Sequence, residues 1–209
     1  VLQDESEEDF EKMAAMLPSD KPYLEMSVFS LYKNRIVWLL ILMITGMVTG
    51  AILQKFENAI ATLPLLVSFL PMLNDTGGNS GSQAATMCIR ALTTGEITTK
   101  QWFKVWFKEF RVSLLVSITL ALFNFARIML LQVDEPADMR FRYAIVVCGT
   151  LILTVIFAKS IGALLPLLAK KLKLDPAVCA SPMITTIIDC STILIYFAFA
   201  MNVFSQYIG

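Results

Sequence analysis

The chain has 209 residues, of which 56% are hydrophobic and 16% charged, with a formal net charge of zero. Soluble domains carry about 45–50% apolar and about 25% charged residues, so the balance, with a mean hydropathy of +0.67, points away from an ordinary soluble enzyme. The zero net charge removes any bulk electrostatic case for nucleic acid. The absence of histidine excludes a histidine-ligated haem, histidine-based zinc sites and a Ser-His-Asp triad.

In chain order, the first residue is Val1 and no basic segment leads into an apolar one, so no signal peptide is expected. Residues 4–11 are acidic and polar, like the tail of a larger soluble region. Five apolar spans are then predicted, at about 36–53, 60–92 (interrupted by a polar block), 112–133, 143–168 and 177–204. Lipid cannot satisfy loose backbone groups, and the spans lack period-2 alternation, so the predicted fold class is an all-α membrane protein of five transmembrane helices. Between the second and third spans, Trp102 and Trp106, then Phe103 and Phe107, recur at four-residue spacing beside Lys100, Lys104 and Lys108. That pattern predicts a helix lying in the membrane interface, or more simply an aromatic and basic anchor for the third span. Pro64, Pro71, Pro166 and Pro182 fall in or at the edges of spans; proline often kinks a membrane helix but is also common in one, so no single proline decides anything. Cys88, Cys148, Cys179 and Cys190 show no CxxC spacing and read as small packing residues.

Lysine and arginine in the short loops set the expected orientation. Lys21, Lys33 and Arg35 precede the first span; Arg90, Lys100, Lys104, Lys108 and Arg111 follow the second; Lys170, Lys171 and Lys173 follow the fourth. The opposite side carries Lys55, Arg140 and Arg142 among the acids Asp134, Glu135 and Asp138, which read as a solvated loop. The richer side is expected to be cytoplasmic, which places the N-terminus inside and the C-terminus outside.

Two acids are expected at membrane depth, Asp75 and Asp189, with no lysine or arginine in the apolar part of any span to pair with them. Such acids usually face a bundle interior or a wet cavity. Asp75 belongs to a polar block at 71–83 in which Asn74, Asp75, Thr76, Asn79 and Gln83 supply oxygens. Gly77, Gly78 and Gly81 there permit either unwinding or very close helix contact. Asp189 is flanked by apolar residues, and Thr185 and Thr186 one turn earlier can share a polar face with it. It is either a cation site or proton relay, or a protonated acid bonded to Ser191, Thr185 or a backbone carbonyl. An all-oxygen inventory suits hard cations. One such carboxylate per chain is thin charge for a divalent ion, and a two-fold dimer would double it.

The run Pro-Met-Leu-Asn-Asp-Thr-Gly-Gly-Asn-Ser-Gly-Ser-Gln at 71–83 closely resembles the second membrane helix of the MgtE magnesium transporters. Arg-Ile-Val-Trp-Leu-Leu at 35–40 resembles the start of that family's first helix, and the stretch from Asp175 through Ser181-Pro-Met-Ile-Thr-Thr to Asp189 resembles the entry to its fifth. The resemblance implies a homodimeric pore domain lined by the second and fifth helices, set in the plasma (inner) membrane. It implies Mg2+ as transported ion, bound in the pore by Asp189, with the Thr185 backbone carbonyl, Asn79 and Gln83 as further metal-site groups. Asp75, Gly77, Gly78, Gly81, Thr186 and Ser181 would line or support the pore. It also divides the chain into 1–20, the remnant of a cytoplasmic regulatory region, 21–34, a plug-like amphipathic connection, and 35–209, the pore domain. Partners would be the second copy, the bilayer and the family's cytoplasmic N and CBS domains, without which normal magnesium gating is expected to be lost. The expected function is channel-like magnesium transport and not an enzyme activity. The alternative is a proton-coupled divalent-cation carrier with Asp189 as relay. A membrane enzyme fits poorly, for want of histidine and of a clustered carboxylate motif.

Overall fold

The computed structural model of the protein describes residues 11–14, 16–18, 22–179 and 181–208, without the side chains of Val178, Cys179, Ser181 and Ile208. The expected regulatory remnant at 1–20 therefore lies largely outside the described residues. Those described are all-helical: α1 (Val28–Gln54), α2 (Glu57–Thr62), α3 (Leu65–Thr93), α4 (Trp102–Leu131), α5 (Ala137–Lys171), α6 (Ser181–Val203) and the short α7 (Ser205–Ile208).

The Ser27 hydroxyl starts α1 by accepting from the Ser30 N–H at 3.2 Å. The helix then runs unbroken across position 34, about 40 Å in length. The second apolar span divides at Leu63–Pro64, because a residue before proline is pushed out of helical geometry; α2 ends there and α3 begins. Among the described residues, four helices are long and apolar enough to cross a membrane: α1, α4 with the turn before it, α5 and α6. The 29 residues of α3 give it a length of about 44 Å, ample for crossing, but its polar block keeps it out of that set.

The segment at 98–111 corrects one expectation. It is not a separate helix in the interface. After a 3-10 turn at Thr99–Gln101, α4 starts at Trp102 and continues without a break to Leu131. No glycine or proline interrupts it, so helix propagation carries the aromatic turns straight into the apolar ones. The simpler anchor reading fits: Trp106 and Phe110 stack at 5.5 Å.

The helix α5 is the hub, packed against α3, α4 and α6, while α3 also packs on α6 and α1 leans on α6. Two kinds of packing divide the bundle. At the end away from the lysine-rich loops, large rings fill the core: Phe69, Tyr143, Tyr196, Phe197 and Phe204 are all nearly or fully buried. Tyr143 meets Phe204 at 5.0 Å, and Phe56 stacks on Phe197 at 4.5 Å. Toward the middle, small residues let backbones touch. A Cβ on Gly162 of α5 would collide with the Gly81 carbonyl oxygen of α3. The cysteines fit the packing role where described: the Cys88 thiol donates to the Ala163 carbonyl at 3.2 Å and that of Cys148 to the Ala121 carbonyl at 3.3 Å.

A second expectation also needs correction. A lysine does lie in an apolar span: Lys159 of α5, only 4% exposed, sits 3.9 Å from Glu109 of α4. A buried cation needs a counter-charge, and α4 supplies it from the turn that also carries Trp106, whose indole N–H donates to Ser160 at 3.1 Å.

Candidate functional site

The site is built from α3 and α6, which run antiparallel. Two contacts fix their register. A Cβ on Gly78 would lie 2.9 Å from the Thr185 methyl, and the Tyr196 hydroxyl donates to the Leu66 carbonyl at 3.0 Å. Asp189 lies between Thr185 and Tyr196 on the same stripe of α6, and its neighbour Ile188 packs on Gly77, so it falls at the turn of α3 that runs from Asn74 to Gly77. The Oδ1 of Asn74 is buried with no hydrogen-bond partner. Buried polar atoms are rarely left so, and this one lies in the turn of α3 level with the half-buried Asp189.

The hydroxyls considered as partners for a protonated Asp189 are engaged elsewhere. Ser191 donates to the Ile187 carbonyl at 2.8 Å, and Thr185 donates to the Pro182 carbonyl at 2.9 Å. Both are local helix back-bonds of the kind serine and threonine favour. Among the described residues, Asp189 has no hydrogen-bond or ion-pair partner, and Lys159 is committed to Glu109.

The polar block of α3 stays helical, so its glycines serve contact and not unwinding. Gly77, Gly78 and Gly81 are buried against α5 and α6, Gly77 beside Thr154 and Ile188. Asp75, Asn79 and Gln83 recur every fourth residue and are all exposed, forming one polar stripe on a helix of an apolar bundle. Asn79 and Gln83 lie one and two turns beyond Asp75, toward the lysine-rich end. Thr186 turns away from this face: its hydroxyl donates to the Pro182 carbonyl at 3.0 Å and receives a 3.5 Å contact from Thr45 of α1. Ser181 begins α6, but its side chain lies outside the described residues. The Thr185 carbonyl lies inside α6, where the helix occupies one acceptor position and leaves a second lone pair.

Sequence reasoning did not single out Thr154 and Thr192. Their buried hydroxyls lack partners, and both residues flank Gly77, Thr154 by its methyl and Thr192 by its oxygen, 3.4 Å from where a Cβ would stand. It also passed over Thr45 and Thr49, which dock α1 on α6 through Thr186 and, at 3.2 Å, the Cys190 thiol. Their four-residue spacing was the available signal. Among the described residues there is no cluster of three or more carboxylate or thiol groups able to hold a metal. A single chain thus offers scattered oxygens along one face and not a closed cage.

Comparison with known proteins follows the same helices. The family model MgtE, described as a divalent cation transporter, matches residues 70–199, from α3 into α6. The magnesium transporter MgtE of Thermus thermophilus is 38% identical over 200 residues, covering 96% of this chain and 43% of that protein. That of Bacillus subtilis is 32% identical over 196 residues, covering 94% and 42%, and that of Enterococcus faecalis 25% over 207, covering 99% and 44%. The chain thus spans less than half the length of these relatives. With its long apolar helices it is a multi-pass membrane protein, and it belongs to the MgtE family of divalent cation transporters.

Proposed function

We propose that this chain forms the membrane part of a magnesium transporter, working as a homodimer whose channel-like pore is lined by α3 and α6. The observation that carries the reading is the exposed stripe of Asp75, Asn79 and Gln83 on α3, together with an Asp189 on α6 that has no partner among the described residues. Lipid would penalise such a face heavily, whereas water between two copies would solvate it. A two-fold axis would bring two Asp189 carboxylates to one ion, with Asn74, Asn79, Gln83 and the Thr185 carbonyl facing its water shell. Magnesium gives up water reluctantly, so contact through water suits it. The relatives' name, magnesium transporter, favours that ion over other hard cations.

In this reading α3 also crosses the membrane, as the second of five spans, residues 35–209 form the pore domain, and 21–34 connects it to cytoplasmic domains. The lysine-rich loops face the cytoplasm. Magnesium flux into proteoliposomes is the test. Asp189→Ala is expected to abolish flux or divalent selectivity while remaining a folded dimer. Equal flux in parent and variant would remove Asp189 from the pore. The proton-coupled carrier remains the second reading, since an unpartnered acid also suits a relay. Proton movement in fixed ratio to cation flux would favour it.

A further inference from the structure

A cavity lies away from the α3–α6 face. It has a volume of about 620 Å³ and opens between the turn at Thr99–Gln101 and the last three turns of α5. Leu164 and Leu168 form its apolar wall, Trp102 and Thr99 its flank, and Lys100 and Lys171 are the charged residues that line it. Its size is within the range of roughly 300–1,000 Å³ that accepts a small ligand. Trp102 and Leu168 are 53% and 50% exposed, although both are apolar. Neither lysine makes an ion pair among the described residues, whereas Lys12, Arg90 and Lys159 each face an acid.

We propose that this cavity is a binding site for one anionic phospholipid of the leaflet on the lysine-rich side. Four features converge on that occupant. The wall is apolar and belongs to a helix long and apolar enough to cross the bilayer, so an acyl chain can lie along it. The two cations stand where α5 ends and α4 begins, at the depth of headgroups. Tryptophan at that depth places an amphipathic ring at the membrane–water boundary. Two lysines without counter-charge complement a phosphate lacking a choline or ethanolamine. The lysines can extend their stems along the wall and keep their charges at the headgroup. The lipid would thereby link the start of α4 to the end of α5, next to the Lys159–Glu109 pair that joins the same two helices deeper in.

Native mass spectrometry of the purified protein, released from micelles holding phosphatidylglycerol and phosphatidylcholine in equal amounts, tests this. The parent is expected to retain phosphatidylglycerol in preference, by roughly fivefold per lysine and on the order of twentyfold for the pair. Lys100→Gln with Lys171→Gln should bring the ratio near one. Leu168→Asp, which puts a charge on the apolar wall and keeps both lysines, should lose the adduct. Lys104→Gln with Lys108→Gln removes equal charge from outside the cavity and should keep the preference. Equal retention of the two lipids, no retained lipid, or the same loss in the outside pair would each overturn the proposal.

Discussion

Gly162 shows how narrowly single residues are constrained in this bundle. A methyl group there would strike the Gly81 carbonyl, which is backbone and cannot rotate aside. Gly162→Ala must therefore separate α5 from α3, and a cost of about 1–3 kcal/mol is expected, as for other overpacked sites. Gly46 is its control. It too is helical, but a Cβ there meets nothing within 4 Å, so Gly46→Ala should be neutral or stabilising by up to about 1 kcal/mol from helix propensity alone. Thermal unfolding in detergent separates the two: the midpoint should fall for Gly162→Ala and hold or rise for Gly46→Ala. Equal behaviour would mean that the close α3–α5 approach is not a constraint on the native state. The same economy explains why Asp189 can be left without a partner. The neighbouring hydroxyls bond back along α6, and small residues keep α3 close enough to set the turn from Asn74 to Gly77 at its level.

Among elements, α5 does the most, and its least expected contribution is the charge pair. Lys159 and Glu109 have side chains only 5% and 19% exposed. Removing one partner of a buried pair leaves the other charge stranded, at a cost of about 3–5 kcal/mol, whereas removing both is often close to neutral. At 3.9 Å and with Glu109 partly exposed, the lower end applies. Glu109→Gln should thus destabilise the protein more than Glu109→Leu combined with Lys159→Met. A chemical-denaturation cycle on the single and double variants checks this, and simple addition of the single effects would show that the groups do not interact. Elements at the opposite end are closed by arginine. Arg140 donates to the Met129 carbonyl near the end of α4 at 3.2 Å, and Arg142 to the Val203 carbonyl ending α6 at 3.0 Å. Cations suit helix C-termini, so these two arginines, counted in the sequence only as loop charges, serve as caps.

Over the whole molecule, the leading segment is tied to the membrane bundle by the Leu17 N–H, which donates to the Asn34 carbonyl of α1 at 2.9 Å, and by a charged clamp. The Lys12 ammonium donates to Asp175 at 2.6 Å across 163 residues of chain. Partial burial pushes the Asp175 carboxyl up, but the hydrogen bond and charge of Lys12, with the Ala177 N–H, outweigh it and hold the group below the usual carboxylate range. With the folded pKa lowered, the clamp contributes fully above about pH 4 and is lost as pH falls through the folded value. Its side chain is 35% exposed, so solvent screening limits the contribution to less than about 1 kcal/mol. Asp175→Asn should remove this acid-side loss without changing the profile above pH 5 or so. Stability followed against pH in parent and variant measures it, and parallel curves below pH 4 would show that the clamp does not stabilise the folded chain.

The sequence by itself determined the helical, membrane-spanning class, because long apolar runs without alternation leave lipid-compatible backbone only one inexpensive form. It also marked Asp189 and the 71–83 block, since polar groups in such runs stand out against their surroundings, and the family followed from that block. The tertiary structure decided what spacing cannot carry. Antiparallel register set the turn from Asn74 to Gly77, and not Asn79 or Gln83, level with Asp189. Close contact kept the glycines helical when their sequence equally allowed unwinding. Continuity of α4 turned an expected interfacial helix into the base of a span, and the approach of α4 to α5 gave Lys159 a partner fifty residues away. Each of these depends on which face meets which neighbour, and pairings between helices distant in sequence leave no periodic trace along the chain.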